Sequence, residues 1–285
     1  MAIQIVLFVS LERSMEPRLA IVAGGGDLPW LLREACRTVG RDSLFLALTG
    51  EVDEDRLPEP DTWLNLGSWG KNLEFLHTNG IEELVFAGSV RRPDLRNLKP
   101  DSRGVKFLAK LGMAWLGDNS ILTSVLKELE EEGFRIISPD SLLETFISRE
   151  GNYGGKSPSV GDWEDIRRGI NVIRAIGEQD IGQAVVIQQG IVLAVEAAEG
   201  TDEMIRRCKR LGERGAGGVL VKFPKPGQDR RVDLPTIGVG TVEMVKEAGL
   251  SGIAVEVGGA LVIGPEETTC AADEAGVFLV GVKGD

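Results

Sequence analysis

Short apolar runs alternate with helix-patterned segments along the first half of this chain, and that alternation limits its folds more than any other feature. Leu19-Ala-Ile-Val-Ala23 has the length and apolar content of a buried strand, and Pro29–Val39 reads as a helix with proline in its first turn. Asp42–Thr49 and Glu83–Ala87 are further strands, and Trp63–Leu66 is a shorter one. Asn72–Thr78, Ser102–Leu116 and Ser120–Glu132 are helical, and Phe134–Ile137 closes the series as a strand. Strands joined through helices predict a parallel sheet with crossover connections. The expectation is an α/β chain whose N-terminal Rossmann-like domain spans residues 1–148, with 1–17 as an extension.

The pattern stops between Arg149 and Gly161, where four glycines and Pro158 suggest a linker over 149–161. Beyond it lies an amphipathic helix, Asp162–Ile176. The strands Ala184–Gln188 and Val192–Glu196 flank Gly190 and predict a hairpin. Helices at Thr201–Leu211, Val242–Ala248 and Glu266–Glu274 alternate with strands at Val219–Lys222, Gly252–Glu256, Leu261–Ile263 and Val277–Val280. Residues 162–285 therefore read as a C-terminal α/β domain with a mixed sheet. Leu193-Ala-Val-Glu196 echoes Ile253-Ala-Val-Glu256, too briefly to make a repeat.

A net charge of −12 and a pI near 4.8 argue against nucleic acid or an anionic lipid surface as an electrostatic partner. An acidic protein that holds an anionic ligand needs a local device: a metal, a helix N-terminus or a few arginines. His77 is the single histidine, which excludes His-rich zinc sites and any Ser-His-Asp triad not built on it. Its place before Gly80 reads as a cation at a helix C-terminus. Cys36, Cys208 and Cys270 are odd in number and far apart, so they read as packing residues rather than a disulfide framework. The apolar run Ala2–Leu11 is too short to span a bilayer and lacks a basic flank, so the chain reads as cytoplasmic, with Met15 an alternative start.

Several motifs carry chemistry. Gly24-Gly25-Gly26-Asp27 joins the first strand to the first helix, where glycines let backbone amides approach an anion. It is neither a dinucleotide fingerprint, since Pro29 stands where a third glycine belongs, nor a Walker A loop. The plain alternative is a tight turn with Asp27 as helix cap. Gly88-Ser89-Val90-Arg91-Arg92 leaves the carboxyl end of a predicted strand, the ligand edge of open α/β sheets, with two forked cations whose plain alternative is a solvated pair on a surface loop. Asp118 opens a helix whose Lys127–Glu132 run is a charged face rather than a Nudix box. Glu196, Thr201 and Asp202 mark a strand end and a helix start. The densest segment, Lys222–Gly238, mixes Lys222, Lys225, Arg230 and Arg231 with Gln228, Asp229 and Asp233 among three prolines. Carboxylates beside cations are what a Mg²⁺-bridged diphosphate requires.

Taken in order, Gly24–Pro29, Ala87–Pro93, Gly117–Asn119, Val195–Asp202 and Lys225–Gly238 resemble the LpxI-type UDP-2,3-diacylglucosamine pyrophosphatases, over about Arg18 to Val282. The resemblance implies two α/β domains and hydrolysis of a nucleotide-lipid to UMP and 2,3-diacylglucosamine 1-phosphate, dependent on Mg²⁺ or Mn²⁺. It places the family's Arg-x-Asp-x-Pro acid on Asp233, as catalyst and metal ligand, and Asp229 and Arg231 are the further expected catalytic residues. Gly24, Gly25, Gly26, Asp27, Ser89, Arg91, Arg92, Asp118, Thr201, Asp202, Lys222, Lys225 and Gln228 are the expected substrate contacts. The diacyl tail calls for an apolar groove, for which Phe107, Leu108, Leu111, Met113, Trp115 and Leu116 are candidates, with ordinary core as their other fate. Weak peripheral membrane contact and a homodimer complete the expectations. The competing reading is a non-catalytic nucleotide-sugar binding or regulatory protein.

Overall fold

The computed structural model describes residues 16–55, 58–91, 99–111, 118–211, 217–232 and 234–284, with backbone alone for 111 and 118–121. The chain divides into two compact units, residues 1–143 and 144–285.

In the first unit, β1 (Leu19–Ala23), β2 (Ser43–Leu48), β3 (Thr62–Leu64), β4 (Glu83–Ala87) and β5 (Arg135–Ile137) form one sheet in the order β3-β2-β1-β4-β5. Every pairing is parallel. All five residues of β1 are buried, as a central strand covered on both faces requires. The crossovers are α1 (Leu28–Val39), α2 (Trp69–Thr78), α3 (Ser102–Leu111) and α4 (Asp118–Glu131). Helix α1 carries Pro29 in its first turn and buries Leu32 and Cys36, four apart. It stops at Gly40, whose φ of 71° forms a left-handed cap. At the amino-terminal edge, buried Glu83 is paired by both Arg41 and Arg135.

Where β1 meets β4 the strand order reverses direction. One branch of the chain winds from β1 to β2 and β3, the other from β4 to β5. Such a switch point leaves a crevice at the carboxyl ends of the two central strands.

The second unit adds β6 (Gly151–Asn152), α5 (Val160–Gly177), β7 (Ala184–Gln188), β8 (Ile191–Val195), α6 (Thr201–Leu211), β9 (Val219–Lys222), β10 (Thr236–Ile237), α7 (Val239–Glu247), β11 (Gly252–Glu256), β12 (Leu261–Val262), α8 (Pro265–Ala275) and β13 (Phe278–Val282). Its six-stranded sheet runs β6-β13-β11-β9-β7-β8, and β10 pairs with β12 in a separate ribbon. Strands β9, β11 and β13 are parallel, while β7 is antiparallel to both β9 and β8. Residues alternate between the faces: Val185, Ile187, Val219 and Val221 pack with Ile166, Ile170 and Ile173 of α5. Val186, Leu220, Ile253 and Val255 pack on the other face with Met204 of α6, Val245 of α7 and Ala272 of α8.

The glycine-rich stretch 149–161 is not a free connector. Its β6 pairs with β13 at the sheet edge, and a capping box at Ser159 and Asp162 starts α5 two residues before the predicted boundary. The β7–β8 hairpin turns through Gln189 and Gly190, both at positive φ, and buried Asp165 accepts both their amides at 3.0 and 2.7 Å.

Candidate active site

In the first unit the structure gathers two motifs that lie more than sixty positions apart in sequence. The Gly24 N–H donates to Ala87 O at 2.8 Å; Gly25 N–H donates to Ser89 O at 2.8 Å, and Ser89 N–H returns to Gly25 O at 2.9 Å. This bridge spans the β1–β4 switch point. It needs glycine: a Cβ on Gly24 would lie 2.4 Å from Ser89 O, and one on Gly88, at φ 89°, would lie 2.4 Å from Gly25 O. The amides of Gly24 and Gly25 thus hold the two loops together, and Gly26, Asp27 and Ser89 form the exposed lip. Asp27 occupies the N-cap position of α1, but its side chain makes no capping bond. Arg91 ties in the loop after β2, through its N–H to Glu51 Oε2 at 3.0 Å and its guanidinium to Gly50 O. Arg92 lies outside the described residues.

The remaining described first-unit candidates lie on helices. Asp118 is the first residue of α4. His77 sits in the last turn of α2, half exposed, its Nε2 3.6 Å from Glu132 and its ring tilted against Phe134 at 4.8 Å between centroids. Phe107 is core, stacked on Trp69 at 4.4 Å, rather than groove lining. Met113, Trp115 and Leu116 lie outside the described residues.

In the second unit the candidates gather at one edge of the mixed sheet. Because β8, β9 and β11 run the same way, their carboxyl ends bring Glu196, Lys222 and Glu256 to one edge. The loop after β9 folds over that edge. Lys222 is 8% exposed, and its ammonium donates to Thr236 O at 3.0 Å, pinning the returning chain beside β9. The Lys225 N–H donates to Gln228 Oε1 at 2.7 Å, and the Lys225 ammonium pairs with Asp180 at 2.5 Å. Buried Gln228 donates to Gln183 Oε1 at 3.3 Å; Gln183 N–H in turn donates to Glu196 Oε2 at 2.9 Å, and Thr201 Oγ1 to Glu196 Oε1 at 2.6 Å. Four elements thereby share one polar network around a 7%-exposed carboxylate. Asp202 stands apart, exposed in the first turn of α6, where an acid offsets the helix dipole.

Asp229 and Arg231 form a fork. The carboxylate accepts Arg231 Nε at 3.0 Å, Nη2 at 2.7 Å and the Arg231 N–H at 3.0 Å. The guanidinium holds the Asp229 carboxyl below the usual carboxylate range, against the opposing pull of partial burial. Asp233 lies outside the described residues, flanked by Val232 and Leu234. Beneath the loop is a cavity of about 230 Å³ with Ile173 and Phe223 on its apolar side and Arg174, Lys225, Arg230 and Glu256 on its polar side.

Asp180, Gln183, Arg174 and Glu256 were not legible as site residues. Only the Leu193–Glu196 and Ile253–Glu256 echo hinted at the last, since both tetrapeptides end parallel-running strands at the same edge. Among the described residues, no three His, Cys, Asp or Glu side chains converge in a group able to hold a metal. Asp229 is tied to Arg231 and Glu256 to Arg230, so the described donors do not form a metal cage by themselves.

Comparisons with known proteins agree with this division. Residues 18–146 match the model of the LpxI N-terminal domain and residues 149–280 that of the LpxI C-terminal domain. UDP-2,3-diacylglucosamine pyrophosphatase LpxI of Caulobacter vibrioides is 42% identical over 274 residues, covering 93% of this chain and 97% of that protein. Among solved structures, CobK precorrin-6A reductase aligns over 94% of this chain and 88% of its own at 13% identity, with a TM-score of 0.32, a likeness too loose to carry an argument. With both domain models matched in order along nearly the whole sequence, the chain belongs to the LpxI family.

Proposed function

We propose that this chain hydrolyses the pyrophosphate bond of UDP-2,3-diacylglucosamine, releasing UMP and 2,3-diacylglucosamine 1-phosphate on the route to lipid A. Membership of the family and the name of the Caulobacter relative support the reading. The structural observation that carries it is the loop after β9, which sets Lys222, Lys225, Gln228 and the Asp229–Arg231 fork on the ligand edge of a sheet. Cleaving a phosphoric anhydride asks for neutralised oxygens and an oriented water, with little covalent chemistry from the protein.

In this reading Arg231 presents a guanidinium whose orientation Asp229 sets, while Lys225 and Lys222 add positive charge at the loop base. Asp233 is the essential carboxylate, acting on Mg²⁺ or on the attacking water. Mg²⁺ commonly takes one or two carboxylates and fills its shell with phosphate oxygens and water, so a single loop acid suffices. Such an ion, or Mn²⁺, would neutralise charge on the bridged phosphates. The Gly24–Ser89 cradle is assigned to the nucleotide side on the strength of its switch-point position.

No described helix is long and apolar enough to cross a membrane. The reading takes the enzyme to act from the cytoplasm on a membrane-borne substrate through weak peripheral contact. The test is a product assay with UDP-2,3-diacylglucosamine in detergent, with Mg²⁺ and with excess EDTA after dialysis. UMP release with Mg²⁺ and its loss in EDTA are expected. Ligand binding without product would replace the enzyme by a binding protein, and full turnover in EDTA would remove the metal.

A further inference from the structure

We infer that Glu256 is a positioning residue of this site, acting through Arg230. The inference rests on the reading above, that the loop after β9 carries the substrate's phosphates. Glu256 closes β11, which lies inside the six-stranded sheet, and it pairs with Val282 of β13 while the preceding Val255 pairs with Lys222 of β9. The turn that follows is fixed too. Buried Ser148 donates its hydroxyl to Glu256 O and accepts Ala260 N–H at 3.2 Å, while its carbonyl accepts Gly258 N–H at 2.8 Å.

The carboxylate is also given room. A Cβ on Gly259 would lie 2.0 Å from Glu256 Oε2, and one on Gly284 would lie 2.4 Å from Oε1. Two separate backbone segments thus pass so close to the carboxylate that a side chain on either would displace it from this position. From this seat Oε2 accepts Arg230 Nη2 at 2.9 Å, and both residues line the cavity beneath the loop. The Glu256 side chain is 17% exposed and that of Arg230 58%. A largely buried acid at a strand end therefore holds an exposed partner, the arrangement that orients a guanidinium for a phosphate oxygen.

The substitutions Glu256→Ala, Glu256→Gln, Arg230→Ala and the double alanine separate this role from its rivals. A glutamine amide oxygen still accepts from Arg230, so Glu256→Gln should recover most of what Glu256→Ala loses. Losing a charge-assisted hydrogen bond is expected to raise KM by about tenfold in Glu256→Ala and in Arg230→Ala, with kcat less affected. The double variant should be no worse than Arg230→Ala alone. If Glu256→Gln is as damaging as Glu256→Ala, the carboxylate itself reacts or binds metal, and the inference is overturned. A silent Glu256→Ala or multiplicative losses in the double variant overturn it equally. If the wild type fails to hydrolyse the nucleotide-lipid, the proposed function falls, and the pair is then judged by UDP affinity in calorimetry across the same proteins. The same order of weakening supports it; absent or uniform UDP binding overturns it.

Discussion

Gly25 and Ser89 exchange two backbone hydrogen bonds, at 2.8 and 2.9 Å, and so bolt together the loops that leave the carboxyl ends of β1 and β4. The contact is made between main chains, and the glycines on either side make it sterically allowed. Gly88→Ala would add a left-handed strain to a Cβ that meets Gly25 O at 2.4 Å. The expected cost is roughly 2–4 kcal/mol, from strain and overpacking together. Gly26→Ala, at φ 91° with no atom within 4 Å of its added Cβ, should cost only about 1 kcal/mol. Urea midpoints of the two variants check the contrast; equal losses would mean that the bridge is not what requires Gly88.

Asp233→Ala is expected to reduce turnover by about 10²–10⁴ while leaving the melting temperature close to that of the wild type. Asp229→Ala should be milder, about tenfold, because it frees Arg231 from its fork without removing the proposed catalytic acid, Asp233. Side-by-side turnover and thermal melting decide it. An Asp233→Ala protein within a few-fold of wild type, or one that has simply unfolded, would refute the assignment.

The Asp229–Arg231 fork predicts a pH dependence of stability. Arg231 lowers the folded carboxyl below its unfolded value, so the unfolded chain takes up the proton first as pH falls. The contribution is complete above about pH 5 and is lost as pH drops below about 4, through the folded value. Asp229→Asn removes this dependence. The stability gap between wild type and Asp229→Asn, measured by urea unfolding, should narrow from pH 7 to pH 3. A gap that widens in acid would reverse the sign and reject the fork.

The three cysteines should differ sharply in reactivity. Cys36 and Cys208 are buried, and burial pushes the Cys208 thiol up to about 11 and raises that of Cys36. Cys270 is exposed on α8. With Ellman's reagent at pH 8 the native protein should release one rapid equivalent, and three after unfolding in guanidinium. Rapid labelling of Cys208 would mean that the α6 face of the sheet opens readily.

Local periodicity determined most elements of this protein. A run such as Leu19–Ala23 can be stable only where both its faces are covered, and the parallel sheet of the first unit follows from several such runs joined by helices. The hairpin at Gly190, the strand Val219–Lys222 and the helix Thr201–Leu211 were legible for the same reason, because turn chemistry and side-chain period are local properties. The family was legible in the ordered motifs, whose residue types carry the chemistry. Tertiary structure alone decided what touches what. It drew the apparent linker into the sheet as β6, because two residues of extended backbone suffice to pair an edge and leave almost no periodic signal. It joined Gly25 to Ser89 across the switch point, and Thr201 to Gln228 through Glu196 and Gln183. It also set Glu256 against Arg230, since a strand-end acid looks like any other until the loop from the neighbouring strand folds over it. Pairings of that kind depend on strand order, and strand order is a property of the whole chain.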